Sequence, residues 1–214
     1  SNVRAMLQLL STLVEKQELA TTLPPLQITP DIGLIHPLLM KPELLTTTTT
    51  TTKQNKPRLY HSFDELCYME SPKKYLEWRL SSACQDLARE QGFSLAPPSS
   101  PRVAILLFRK HVITEQRYVL DLITIMESQG LIPIPIFING VEAHTIVRDW
   151  LTSTQEQKVK TKASEAVVVD AIVNTIGFPL VGGPAGSMEA GRNVAVAQEL
   201  LRSINVPYIV AAPL

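Results

Sequence analysis

VAILLF, residues 103–108, is an unbroken apolar run set between Arg102 and Arg109-Lys110, and its reading decides the fold. Six apolar residues without alternation suit a strand buried on both faces, the condition of a parallel sheet covered by helices. The pattern outward from it repeats. A helix is expected from Thr114, as cap, through Ser128, closed by Gly130. IPIPIF at 132–137 is a second strand, and Asn139-Gly140 turns the chain into a helix around 141–152. A polar, lysine-bearing loop leads to a third strand near Ala171–Thr175. A glycine-rich loop, a helix at about 189–204 and a last strand at 207–212 follow. Strands alternating with helices imply a parallel sheet with right-handed crossovers.

Two prolines sharpen this α/β reading. Pro133 and Pro135 are two apart, so their missing N–H groups fall along one edge of the strand and regular pairing fails there. Residues 132–137 are therefore expected at the border of the sheet. That gives a flavodoxin/Rossmann-like order 2-1-3-4 with helices on both faces, over residues 101–214.

Residues 1–100 read differently, as helices with an extended arm. Met6, Leu9, Leu10 and Leu13 make a helical stripe within 4–17, followed by an aperiodic stretch from about Ala20 to Tyr60. That stretch holds TPDIGLIHPLL (29–39), read as an extended arm, and seven consecutive threonines, Thr46–Thr52, expected to be a disordered insertion. Ser62-Phe-Asp-Glu65 matches a capping box, and Ser71-Pro72 restarts the helix with serine as cap and proline in the first turn. Leu76, Leu80, Cys84 and Leu87 form its apolar face, Gly92 ends it, and SLAPPSSP (94–101) is a linker.

Composition narrows the function classes. The 214 residues are 45% apolar, and 20 basic side chains balance 20 acidic ones, which argues against a nucleic-acid or anionic-membrane partner. No apolar run approaches the roughly 20 residues of a membrane-spanning helix. Cys67 and Cys84, the two cysteines, make no metal-type pair and read as buried thiols in a reducing compartment. Ser1-Asn2 without an initiator Met reads as a remnant of tag removal, and the sheet is expected to continue past Leu214. An internal piece of a longer protein is the expectation.

The longest specific stretch is TIGFPLVGGPAGSMEAGRN (175–193), followed by NVPYIVAAPL (205–214). With TPDIGLIHPLL (29–39), RKHVIT (109–114) and IPIFING (134–140), it resembles the large (H) subunit of magnesium chelatase and the related large subunit of aerobic cobaltochelatase. The resemblance covers most of the chain except about 46–60. It implies a place near the N-terminal side of a much longer subunit that binds protoporphyrin IX and is the seat of Mg²⁺ insertion. It also implies two AAA+ partner subunits that hydrolyse ATP, the rest of the parent chain as a further partner, and a bacterial cytoplasmic or chloroplast-stromal setting. Magnesium rather than cobalt follows from the wording of the motif, not from any ligand set.

Inserting a divalent ion into a porphyrin removes two pyrrole protons and strips water from the ion, so a base and loosely holding oxygen or nitrogen groups are needed. His111 follows the first strand at its C-terminal end, where such sheets place ligands, with Glu115 one turn on; a plain surface histidine is the blander reading. In the loop after the third strand, Gly182, Gly183 and Ser187 can hold an anion on backbone N–H groups, and Arg192 can meet a carboxylate such as a propionate. GGPAG is neither GxGxxG nor a P-loop, so the same glycines also suit a close helix–strand crossing. His36 is expected to pin the arm by a hydrogen bond. His61 and His144 have no ligand pattern around them, and neither a catalytic residue nor a metal site is assigned. Trp78 and Trp150 fit core packing or an interface.

Three functions compete. The chain lines the ligand site of a metal–porphyrin ligase without doing chemistry alone, or is a docking module of the same subunit, or is an unrelated flavodoxin-like binder of a nucleotide or sugar phosphate. A lining segment should show a pocket at the C-terminal ends of its strands, with Gly182, Gly183 and Ser187 at the rim. A docking module should show an exposed apolar patch.

Overall fold

The apolar run at the heart of the sequence is the middle of the sheet. In the computed structural model, residues 6–7, 29–39, 68–139, 143–153, 165–177, 179–181 and 190–211 are described. The strands are β1 (Ile32–Leu34), β2 (Arg102–Phe108), β3 (Ile132–Ile138), β4 (Leu151–Thr152), β5 (Val167–Val168), β6 (Ala171–Asn174) and β7 (Tyr208–Val210). The helices used below are α1 (Pro72–Arg79), α2 (Ser82–Glu90), α3 (Arg109–Ile113), α4 (Arg117–Ser128), α5 (Ala143–Trp150) and α6 (Ala190–Ile204), with a 3-10 turn at Pro37–Leu39. One five-stranded sheet runs in the order β1-β3-β2-β6-β7, and β4 and β5 form a small parallel pair of their own.

Burial of β2 on both faces has a direct reading in side-chain parity. Ala104 and Leu106 pack with Ile132, Ile134, Ile136, Ile146, Val147 and Ile172 on one face. Ile105 and Leu107 pack with Val112, Val119, Leu120, Ile123 and Phe137 on the other. Helices α1, α5 and α6 contribute to the first layer, and α3 and α4 to the second.

The four-stranded sheet with residues 132–137 as its border needs correction. β3 pairs in parallel with β2 and antiparallel with β1, in register Ile32↔Ile138, Gly33↔Phe137 and Leu34↔Ile136. The arm therefore supplies a fifth strand, too short to stand out as apolar alternation. The proline edge still limits it. Ile35 N–H donates to the Pro135 carbonyl at 3.4 Å, and Pro135 has no N–H to return, so the ladder ends there. The Pro133 carbonyl is taken instead by the Tyr75 hydroxyl at 3.0 Å. On its far side β1 exchanges two backbone bonds with Met69.

Two helix readings also change. Thr114 ends α3 rather than starting a helix: its hydroxyl donates to the Lys110 carbonyl, Glu115 takes φ 55°, and α4 begins at Arg117 without a side-chain cap. The helix begun by Ser71 and Pro72 breaks after Arg79. Ser71 Oγ accepts from Lys74 N, and Ser81 then caps α2 by accepting from Cys84 N while donating to the Trp78 carbonyl at 2.6 Å. Gly92 and Gly130 follow their helices at φ 63° and 78°, the left-handed conformation glycine adopts without strain. The stripe at 4–17 apart from the helical Met6 and Leu7, the threonine run, the capping box at 62–65, His61 and Cys67 lie outside the described residues.

A buried charge cluster joins the arm to the helices. Arg79 of α1 donates through Nε to Glu127 Oε1 at 2.6 Å and through a terminal nitrogen to Glu127 Oε2 at 2.5 Å. The same guanidinium donates to the Ala96 carbonyl at 3.0 Å, and Ala96 N–H donates to Glu127 Oε2 at 2.7 Å. His36, fully buried, points Nε2 at Glu127 Oε1 from 3.6 Å. Burial alone would raise the Glu127 carboxyl, yet contacts from His36, Arg79 and the Ala96 amide hold it below the ordinary carboxylate range. Arm, α1, α4 and the 94–101 linker thus meet at one carboxylate. His36, expected to pin the arm by a hydrogen bond, is buried against Glu127, but Nε2 stops short of hydrogen-bond distance and Nδ1 bonds only to Leu38 N within the arm. Trp78 flanks it edge-on at 5.4 Å, and Trp78 and Trp150 are partly buried against the core.

Candidate functional site

A parallel sheet opens to ligands where successive connections leave in opposite directions. Here that point lies between β2 and β6: the chain leaves β2 toward β3 on one side and re-enters at β6 on the other. Both strands end there in polar groups. β2 runs straight into α3, which carries His111, and β6 runs into Asn174 and Thr175.

His111 Nδ1 lies 2.7 Å from the Tyr118 hydroxyl of α4. Thr175, just past the end of β6, donates through both Oγ1 and N–H to the Leu106 carbonyl, at 2.9 and 3.0 Å. Imidazole and phenol form a short line at the C-terminal end of β2, and Thr175 is anchored on that same strand. Burial, then the neighbouring Lys110 charge, lowers the His111 pKa, so its ring is neutral at neutral pH and able to accept a proton. Burial raises the Tyr118 pKa and keeps that hydroxyl protonated. Glu115, at φ 55°, occupies the turn between α3 and α4.

Beside this line, a cleft of about 320 Å³ opens between the ends of β6 and β7 and the side of α6. Pro179, Leu180, Ala197 and Leu201 make its apolar wall, and Asn174 and Tyr208 supply its polar end. Asn174 Nδ2 donates to the Tyr208 hydroxyl at 2.7 Å, while Asn174 Oδ1 accepts from Ile176 N at 2.9 Å. Gly177, φ 86°, follows that clamp, and Pro179 and Leu180 beyond it line the cleft. The volume is at the small end of the range for a ligand pocket, roughly 300–1,000 Å³.

Of the residues singled out in the sequence, His111 sits at the crevice and Arg192 lies in the first turn of α6. Gly182, Gly183 and Ser187 lie outside the described residues, as does the side chain of Arg192. Tyr118, Thr175, Asn174 and Tyr208 were not singled out. Nothing local marks Asn174, Thr175 and Tyr208, whose partners lie far away in the chain, and Tyr118 meets His111 only because the turn at Glu115 folds α4 back on α3. Glu127 did leave a signal: it continues the stripe Val119, Leu120, Ile123 on the buried face of α4, where an acid is out of place. Among the described residues no group of three or more His, Cys, Asp or Glu side chains comes together as a metal site. No helix among them is long and apolar enough to cross a membrane.

Comparison with known proteins places the chain in a family. The chain is 36% identical over 156 residues to the H subunit of the magnesium chelatase of Chlorobaculum parvum, covering 73% of this chain and 10% of that protein. It is 31% identical over 157 residues to ChlH, the chloroplastic magnesium-chelatase subunit of Oryza sativa subsp. indica, again 73% of this chain and 10% of the relative. With the H subunit of the magnesium chelatase of Cereibacter sphaeroides it shares 28% identity over 137 residues. The chain thus spans about a tenth of the length of these relatives. A family model described as CobN/Magnesium Chelatase matches residues 1–214, and the chain belongs to that family.

Proposed function

We propose that this chain is an N-terminal-side segment of the porphyrin-handling subunit of a magnesium chelatase, and that its sheet edge lines part of the tetrapyrrole site. The family match across the whole chain carries this reading, and the cleft at the C-terminal ends of β6 and β7 supports the lining role. In the proposed reaction Mg²⁺ enters protoporphyrin IX as two pyrrole protons leave, with ATP hydrolysed on two AAA+ partner subunits. This chain contributes surface rather than a complete catalytic set. Gly182, Gly183 and Ser187 offer backbone N–H groups and a hydroxyl, and Arg192 a cation, toward a propionate. His111, neutral and held by Tyr118, is placed to take up a proton at the crevice. The work is done in a chloroplast stroma or bacterial cytoplasm as part of chlorophyll synthesis.

A docking role within the same large polypeptide has its own support. Ile209 and Val210 on β7, and Val194 and Val196 on α6, are exposed apolar residues along one border of the sheet. A fluorescence titration with a soluble porphyrin separates the two. Saturable quenching that weakens in Arg192→Ala, Ser187→Ala or His111→Ala is the result expected for a lining segment. Binding no better than to an unrelated protein overturns the lining role and leaves the docking surface.

A further inference from the structure

His36 is buried completely, in a segment whose neighbours Asp31 and Ile32 reach the surface. Its two ring nitrogens are not equivalent. Nδ1 accepts a hydrogen bond from Leu38 N at 3.2 Å, and a backbone amide is only ever a donor, so Nδ1 carries its lone pair and no proton. The one ring proton therefore sits on Nε2, which faces Glu127 Oε1 at 3.6 Å. A second proton has nowhere to go but Nδ1. There it would meet the Leu38 N–H head-on and undo the side-chain cap on the 3-10 turn at Pro37–Leu39, whose backbone bond runs from Leu39 N to the His36 carbonyl.

The surroundings compensate that proton only through the pull of Glu127. Glu127, from α4, is the one acid facing the ring among the described residues, and both its oxygens are already engaged by Arg79 and the Ala96 amide. From α1 come the fixed positive charge of Arg79 and the neutral Tyr75 ring, 6.2 Å away between centroids. From α2 comes Cys84, whose thiol burial pushes up to about 11, so it stays uncharged. Trp78 and Phe93 close the remaining sides edge-on, each at 5.4 Å. A cationic imidazole here would be a second positive charge sharing one carboxylate with Arg79, with no acceptor for its Nδ1 proton.

The geometry points to His36 as an acid-release latch: the arm 29–39 stays docked on β3 and α4 only while this imidazole is singly protonated, and undocks when it gains a second proton. The rest of the sheet does not depend on it, because β2, β3, β6 and β7 pair without the arm. Undocking uncovers the β3 edge at Ile136–Ile138 and the Pro135 carbonyl.

The sign follows from linkage. The docked ring has its pKa lowered from 6.5, by burial first and by Arg79, against the opposing pull of Glu127. An undocked ring titrates near 6.5, so docking is at full strength above that pH. Below it only the undocked arm takes up the proton, and docking weakens by up to about tenfold per pH unit until the docked value is reached. Glu127 does not confuse this window, since its own pKa is held below 4.5.

Hydrogen exchange of peptides covering residues 29–39, corrected for the chemical rate, tests the latch at pH 7.5 and 5.5 in this chain and in His36→Asn. Asparagine keeps an oxygen acceptor for the amide two residues on and takes up no proton. The expected result is a loss of protection of up to about tenfold in the parent chain, absent in His36→Asn, with β2 and β6 peptides unchanged. Arm protection that does not fall with pH, or falls equally in His36→Asn, overturns the proposal. Should the variant not fold, nitrogen NMR of the parent decides. A docked His36 at pH 5.5 with an unprotonated Nδ1 supports the latch, and a docked doubly protonated ring overturns it.

Discussion

The two borders of this sheet are built from similar material and end in opposite states. At one, β1 closes β3: Leu34 and Phe137 are fully buried and Met69 pairs with the outer side of Leu34. At the other, β7 is a short strand with Ile209 52% and Val210 66% exposed. Side-chain hydrophobicity does not separate Ile-Gly-Leu at 32–34 from Tyr-Ile-Val at 208–210. What separates them among the described residues is the cover: a buried carboxylate that gathers arm, α1, α4 and linker on one side, and exposed β7 residues beside a cleft on the other. An isolated short strand adds little by itself. The first border is stable because long-range polar contacts hold its strand in place.

That contrast breaks most sharply at Glu127. Glu127→Ala leaves Arg79 charged and the Ala96 amide unpaired in the interior, and is expected to cost about 3–5 kcal/mol, read from urea unfolding. Glu127→Leu combined with Arg79→Met should recover most of this loss, because no orphaned charge remains. Costs that simply add would show the two side chains to be uncoupled. The carboxylate also sets an acid limit: its pKa is lowered on folding, so its contribution is complete above the unfolded carboxyl range and lost as the pH falls through the folded value.

A smaller effect is expected at Gly33. A Cβ there would lie 2.7 Å from Phe137 Cζ, a ring packed in the core with no room to withdraw. Gly33→Ala should cost about 1–3 kcal/mol, with exchange protection lost first across β1. If protection falls uniformly instead, the arm is not a separable unit. The least effect belongs to the open border. Ile209→Thr should change stability by no more than about 0.5 kcal/mol; a larger loss would mean that β7 is covered in solution.

Much of the fold could be read from order and periodicity. The buried run at 103–108, the strand at 132–137, Gly130 after its helix and Ser71-Pro72 at the start of another all rest on local physics, in which neighbours three or four apart decide. The errors share a cause as well. The arm at 32–34 is a strand only because β3 offers its edge. Thr114 caps nothing because α3 starts directly from β2, and the helix after Ser71 breaks because Ser81 has both an amide and a carbonyl to serve. The candidate site was legible in part: the place of His111 after a strand could be read, whereas the Asn174–Tyr208 clamp and the Thr175 bonds to Leu106 form only when distant segments meet.

The sequence by itself determined the alternation of strands and helices, the family, and the end of the sheet at which ligands are expected, since these follow from short-range pattern and recognisable wording. The tertiary structure alone decided that an arm completes the sheet, that Arg79, Glu127 and His36 share one buried site, and that one border is shut and the other open. Those outcomes depend on contacts between residues tens of positions apart, where burial and hydrogen-bond pairing, not local propensity, select the state.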